Sequence, residues 1–396
     1  MKKLIVLICS LLLIQVCACT KTSDKLKPGE TIKIGFLGPM TGEDSGYGIF
    51  PSQAVRIAVD EFNEQGGING FEVELIIEDS IGNIKIGTDA ATKLIKIDKV
   101  LALVGDLFSA VSLAVAPIAE GSKVVMVSPG STHKELTNKG NFIFRTIISD
   151  AIQAVVFAKH LASVENIKTA SVLYINNAYS KSIAMDFWEA FEKEGGRLVA
   201  VEAAEPGTKD FRAILKKINE KKPESLYLPN YVSDTAVIIK QAKEIGLKAK
   251  IFSSDAFGNP QIFDQLGDLA NGIIFTQTPE SKANQKTDGF ISKYESRWKE
   301  KPDAYSLNAY DAACIILNAI QQTSSKGMLG GALNIDRDKL RDFIAATKDY
   351  DGVSGNITFT ENGDLVGNIG IFVAENKKFK QLKSYRLDGL NLVELK

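Results

Sequence analysis

The 396-residue chain holds only two histidines, His133 and His160, and four cysteines, Cys9, Cys17, Cys19 and Cys314, three of them within the first nineteen positions. That inventory is too small for a protein-built zinc site, which takes about four soft ligands. His133 sits in the polar turn T-H-K-E and His160 on a helix face, and both read as solvated rather than as acids or bases. No G-x-G-x-x-G follows a strand, and neither G-x-x-x-x-G-K-[ST] nor G-x-S-x-G occurs, so nucleotide and acyl-transfer chemistry have no motif to rest on. The sequence does offer an anion site. Ser109 stands between the apolar run V-L-A-L-V-G and the helical pattern Ala110 to Ala119, where free backbone N–H groups and the helix dipole favour negative charge. The alternative is that Ser109 merely caps that helix. Cys314, in A-A-C-I-I-L, reads as small core packing.

Lys and Arg number 47 against 48 Asp and Glu, a net charge of −1, which lacks the basic field that nucleic-acid binding needs. Met1-Lys2-Lys3 followed by Leu4 to Val16 has the basic start and short apolar core of a secretory signal. It is too short for a spanning helix of about 20 apolar residues. Val16-Cys17-Ala18-Cys19 resembles the lipobox of bacterial lipoproteins, with an aliphatic residue at −3, a small one at −1 and then the acylated Cys. The expectation is a signal peptide over 1–18 and a lipidated Cys19, with Cys17 as the rival site and a plain secretory signal as the other reading. Loss of Lys2 and Lys3 would move the charge to about −3. The polar, non-periodic stretch 19–30 reads as a tether lifting the domain off a membrane.

Regular elements must position these groups. From Lys33 on, apolar runs alternate with amphipathic stretches: I-K-I-G-F-L, A-V-R-I-A-V-D-E-F-N-E, V-E-L-I-I-E-D, A-A-T-K-L-I-K-I, V-L-A-L-V-G. That alternation predicts β-α-β units and a parallel sheet covered by helices. The pattern restarts after Thr146 and runs to Phe252 as a second α/β series, while 279–347 is mostly helical and must cover an existing sheet. Gly121, Gly195-Gly196 and Gly246 fall at helix ends, where left-handed termini favour glycine. The tail returns to strand character at G-N-I-T-F-T, N-I-G-I-F-V and F-K-Q-L-K-S-Y, the first two joined through the turn Glu361-Asn362-Gly363-Asp364. The expected fold is α/β: two Rossmann-like lobes with parallel sheets, 31–147 plus 278–350 and 148–277 plus 351–396. Three crossings between them would form a hinge and leave a cleft at the strand ends.

In this order and spacing, the motifs I-G-F-L-G-P-M-T-G, A-V-D-E-F-N-E-Q-G-G-I-N-G, V-G-D-L-F-S-A-V-S-L-A-V-A-P-I-A-E, V-S-P-G-S-T-H-K-E-L-T, F-R-T-I-I-S-D-A-I-Q and the late Y-D-A-A resemble the class I periplasmic binding proteins. Within that class the likeness is to the branched-chain amino-acid receptors of ABC importers. The resemblance implies that Ser109 and Thr132, with Gly130 as a backbone contributor, hold a ligand carboxylate. It also implies that Asp255, in S-S-D-A-F-G-N, meets the ligand ammonium, and that Tyr47, Tyr179 and Tyr231 line the cleft. Asp255 stands where Glu is common and reaches about one methylene less, which could call for a bridging water; it could instead cap the next turn. The tyrosines could equally be ordinary packing. Phe108 stands where some members carry a disulfide Cys, and Ser180 follows Tyr179 where Gly is usual. The implied partners are a small amino acid, ABC permease subunits and the membrane through lipid, with a monomeric protein, no cofactor, no metal and no catalysis. Receptors for amides, short peptides or aromatic and dicarboxylic acids share the family, as do sensory receptors.

Overall fold

A computed structural model describes residues 23–279, 285–327, 331–388 and 391–395. The signal segment 1–18, Cys17 and Cys19 lie outside the described residues. Among the described residues no helix is long and apolar enough to cross a membrane.

The first described residues depart from expectation. Ser23–Leu26, within the segment read as a tether, forms strand β1 and pairs antiparallel with Leu333–Asp336. Asp24 explains the hold: its carboxylate takes the largely buried Arg337 guanidinium at 2.7 Å, a geometry in which a fork of N–H donors matches two oxygens. The chain continues through β2 (Ile32–Gly38), α1 (Gly46–Glu64), β3 (Val73–Asp79), α2 (Ile84–Thr92), β4 (Ala102–Gly105), α3 (Ser109–Gly121), β5 (Val125–Ser128) and β6 (Ile143–Arg145). These strands make one parallel sheet in the order β3-β2-β4-β5-β6. Strands β4 and β5 are wholly buried, as the continuous runs A-L-V-G and V-M-V-S require of strands covered on both faces.

The second series is α4 (Asp150–Ser163), β7 (Thr169–Ile175), α5 (Ala178–Lys193), β8 (Arg197–Ala204), α6 (Arg212–Glu220), β9 (Ser225–Leu228), α7 (Val232–Glu244), β10 (Lys250–Ser253), α8 (Gln261–Leu266) and β11 (Ile274–Gln277). Helices α9 (Gln285–Trp298), α10 (Ala304–Thr323) and α11 (Arg337–Ala345) return to the first sheet, with the two-residue β12 (Ser325–Lys326) and β13 (Leu333–Asp336) between the last two. Helix α10 packs along α1, which places the late helical segment as a cover for the first sheet.

The small strands β14 (Tyr350–Asp351), β15 (Asn356–Phe359) and β16 (Leu365–Val366) form a separate antiparallel sheet. The turn at 361–364 does close a hairpin, but its second arm is β16. Gly363, at φ +81, fits against the carbonyl of Ile143 and the ring of Phe144, so this piece, expected within the second lobe, lies on the first. Beyond it, β17 (Ile369–Glu375), β18 (Lys378–Asp388) and β19 (Asn391–Leu395) extend the second sheet antiparallel, giving β19-β18-β17-β11-β10-β9-β7-β8. The chain thus passes between the sheets after β6, after β11 and between β16 and β17.

Gly195 (φ 83) and Gly246 (φ 74) end α5 and α7 in the left-handed region. Helix α3 differs: Gly121 stays helical and Lys123 takes the left-handed position at φ 51. His160 is not solvated; it is 1% exposed, faces the Tyr385 hydroxyl at 3.2 Å, and burial pushes its pKa down to about 4. Cys314 is free and buried.

Candidate functional site

In a parallel sheet the loops after the strands gather at one end, and here the loops after β4 and β5 face those after β9 and β10. On the first-lobe side a knot of serines fixes the geometry. The Ser112, Ser128 and Ser131 hydroxyls all donate to the Asp106 carbonyl, at 2.9, 2.7 and 3.1 Å. This stitches the β4–α3 turn to the β5 turn. Gly130 lets the turn pack closely there, because a Cβ would come within 2.9 Å of the Leu107 side chain and push it aside. Arg145, wholly buried, donates to Asp364 at 2.6 Å and to the His133 carbonyl at 2.8 Å, tying the same turn to the hairpin before the third crossing.

Ser109 and Thr132 both lie in this framework, 1% and 0% exposed. Ser109 is the first residue of α3, makes no capping bond, and its hydroxyl is buried without a hydrogen-bond partner; the Thr132 hydroxyl is buried beside the Asp150 carboxyl. A free hydroxyl beside a helix N-terminus can donate to an anion without bringing a charge of its own.

On the opposite side Asp255 follows β10 in a short helical turn and is 2% exposed. Its oxygens accept from the Tyr179 hydroxyl at 2.7 Å and, across the cleft, from the Tyr305 hydroxyl of α10 at 3.1 Å. Burial raises its pKa to about 6, against the lowering effect of those phenols. Asp150, the first residue of α4 just past the first crossing, is fully buried; the Thr132 hydroxyl stands beside its carboxyl and favours the ionised form, but neither oxygen is in a full hydrogen bond. Burial first, and then the charge of Asp255, raise its pKa to about 8. A buried acid raised by the charge of a second one favours a cation beside the pair.

Aromatic rings close the rest. Phe108 stacks on Tyr231 at 4.0 Å between ring centres, and Tyr179 also stacks on Tyr231, at 4.9 Å. The Tyr47 ring meets Phe108, Tyr231 and Tyr305 edge-on at 5.5–5.7 Å, and its hydroxyl donates to the Ala256 carbonyl at 2.5 Å. At the rim, Ser233 donates to Asp44 and Lys134 pairs with Asp186, so the lobes are in the closed arrangement. A cavity of about 10 Å³, room for one water, lies behind Asp255 beside Gln153, Tyr305 and Asn308. A larger groove of about 470 Å³ lies elsewhere, against α1 and α9, and two ion pairs in it, Lys293–Glu61 and Lys286–Asp351, already neutralise each other.

All seven residues singled out from the sequence, Tyr47, Ser109, Gly130, Thr132, Tyr179, Tyr231 and Asp255, meet around this cleft. The neighbouring Ser180 leaves Tyr179 in place, since the Asn177 side chain accepts from the Ser180 amide and caps α5. Sequence reasoning missed Asp150 and Tyr305. The first stood in plain view in F-R-T-I-I-S-D as a helix-start acid; the second is one of ten tyrosines with nothing local to mark it.

The periplasmic binding protein family model matches residues 31–378. A leucine-, isoleucine-, valine-, threonine- and alanine-binding protein of Pseudomonas aeruginosa is 28% identical over 337 residues, 85% of this chain and 87% of that one. A Leu/Ile/Val-binding protein of Rhizobium johnstonii is 30% identical over 338 residues, 84% of this chain and 89% of its own. Among solved structures, a leucine-binding protein from Thermotoga maritima superposes with a TM-score of 0.83 at 29% identity, covering 90% of this chain and 99% of that one. A branched-chain amino-acid transporter substrate-binding protein from Streptococcus pneumoniae, in complex with isoleucine, gives 0.81 at 26%, covering 92% and 100%.

Proposed function

The chain belongs to the periplasmic binding protein family, and from that premise we propose that it captures an α-amino acid with an apolar side chain and hands it to an ABC permease. Family membership carries a solute-binding role in transport and an extracytoplasmic location. The observation that supports the finer reading is the pairing of opposite unmet needs in one closed cleft. Ser109 is a buried hydroxyl without an acceptor, while the buried carboxyl of Asp150, raised by Asp255, has the Thr132 hydroxyl beside it but no full hydrogen bond to either oxygen. An unsatisfied buried polar group costs about 1–3 kcal/mol, so an occupant offering a carboxylate at one end and an ammonium at the other would relieve several such costs at once. An ammonium brings three donors, enough for both acids. The Tyr47, Phe108, Tyr179 and Tyr231 rings offer apolar walls with polar tips, suited to an amphipathic ligand.

Closure arises from where the groups sit. The carboxylate end belongs to the first lobe, Asp255 to the second, and a ligand that touches both stabilises only the closed state. Cys19, acylated, would keep the protein near its permease. The test is a thermal-shift panel on the protein lacking residues 1–19: the twenty amino acids, their deaminated acids and their decarboxylated amines. A ligand at about 100 times its dissociation constant stabilises by about 2.7 kcal/mol. Shifts by leucine, isoleucine or valine and none by 4-methylpentanoate or 3-methylbutylamine are expected. A shift by the acids alone would remove the ammonium role of Asp150 and Asp255, and consumption of the ligand would replace capture with catalysis.

A further inference from the structure

We infer that the end of the first lobe opposite the cleft faces the lipid bilayer at short range, held there by a leash of three residues; this rests on the reading of Cys19 as the lipidated residue. The lobe's own pairing begins at Ser23, well inside the stretch 19–30. Strand β1 is hydrogen-bonded to β13 from its first residue, Ser23 facing Asp336, and Asp24 is locked to Arg337. Only Thr20, Lys21 and Thr22 therefore separate Cys19 from a fixed point on the lobe. Whatever their conformation, four Cα–Cα steps span at most about 14 Å.

The location of that fixed point decides which face looks at the lipid. Arg337 also reaches the Lys123 carbonyl, just before β5 begins, and β1 runs directly into the turn at 27–30 that starts β2. Both mark the N-terminal ends of the parallel strands. Ser109 and Thr132 come after the C-terminal ends of β4 and β5, so anchor and cleft lie at opposite ends of one sheet. A seven-residue strand such as β2 is about 20 Å long. The face near the leash mixes exposed Lys25, Lys27 and Lys326 with exposed Glu30, Glu72 and Glu74, so the short leash rather than net charge sets its approach to the headgroups. In this arrangement the first lobe stays with the membrane and the second swings.

The test uses the full lipidated chain in vesicles of phosphatidylethanolamine and phosphatidylglycerol carrying a headgroup-labelled energy acceptor. A donor dye is placed by K326C at the first-lobe end or by K248C, just before β10, at the far end of the second lobe; Cys314 is buried and does not compete. Transfer several-fold stronger from position 326 than from 248 is expected. Inserting twelve Gly/Ser residues between Thr22 and Ser23 should lower the signal at 326 sharply. Equal transfer from both positions, or a signal at 326 that the insertion leaves unchanged, overturns the inference while leaving the anchor intact. Membrane retention of the C19S variant instead overturns the anchor reading, and the inference with it.

Discussion

On the first-lobe wall of the cleft the inward-facing candidate groups, Ser109 and Thr132, are neutral hydroxyls, whereas the other wall presents the carboxylate Asp255, and the first crossing adds Asp150 beside it. The walls also differ in how they are held. The hydroxyl side is internally stitched through the Asp106 carbonyl and three serines, and needs nothing from the second lobe. The acidic side is completed only on closure, when Tyr305 reaches Asp255 and Tyr47 reaches the Ala256 carbonyl. A preformed neutral half suits first contact with an anion, because it carries no charge to desolvate. A charged half that assembles around the ligand suits the closing step, because its cost is met only when a cation arrives.

The sharpest way to break this contrast is to neutralise the acidic side. Asp255→Asn should lower amino-acid affinity by about 100-fold or more, in line with the roughly 2–5 kcal/mol lost when one partner of a buried charge pair is removed. The same variant should melt higher than wild type without ligand, since it removes a buried acid whose ionisation burial opposes. Titration calorimetry and a thermal scan read both. Asp150→Asn should behave in the same way, and a ligand affinity unchanged by it would exclude Asp150 from the ammonium site.

On the neutral side, Ser109→Ala and Thr132→Ala should each cost about tenfold, roughly 1.5 kcal/mol for a hydrogen bond to a charged group. The loss in Ser109→Ala should be independent of pH, whereas Thr132→Ala, by removing a hydroxyl beside Asp150, should shift the pH dependence upward. If either exceeded the loss in Asp255→Asn, the division between a neutral and a charged wall would not hold.

The pH dependence separates the walls further. Asp150, at about 8, and Asp255, at about 6, are raised above an unfolded value near 3.9. The free protein therefore holds protons that the unfolded chain releases. The stability these groups contribute is full below about pH 4 and is lost as pH climbs through 6 and 8. A ligand ammonium favours the ionised acids, so binding should expel protons and tighten between about pH 6 and 8. Calorimetry in buffers of different ionisation enthalpy should show proton release, and Asp150→Asn should abolish most of it.

The smallest expected effect comes from the contact that joins the walls. Tyr305→Phe removes one hydrogen bond across the cleft and should weaken binding a few-fold, within the roughly 0.5–1.5 kcal/mol of a typical bond. Small-angle scattering of the free protein should show a larger open population, while the Ser109 side keeps its own contacts.

Much of the fold was legible from short-range pattern. The alternation of apolar runs and amphipathic stretches announces strands and helices because each needs its own periodicity, about 2 or 3.6, to bury one face. Ser109 could be placed at a helix start for the same reason, and its hydroxyl was found free rather than capping. The resemblance brought in Thr132, Asp255 and the three tyrosines. Beyond these, sequence separation defeats local reading. Asp255 acts on Asp150 across more than a hundred residues, and Tyr305 arrives from a helix on the other lobe. His160 sat on a helix face that looked solvated until β18 covered it with Tyr385.

By itself the sequence determined the repertoire: two α/β series, few histidines and cysteines, and a serine at the mouth of a helix. Only the tertiary structure decided which acids face one another and that the stretch read as a tether is already held at Ser23. Both depend on contacts between segments far apart in the chain, and such contacts form through the packing of whole sheets and helices, which no local propensity encodes.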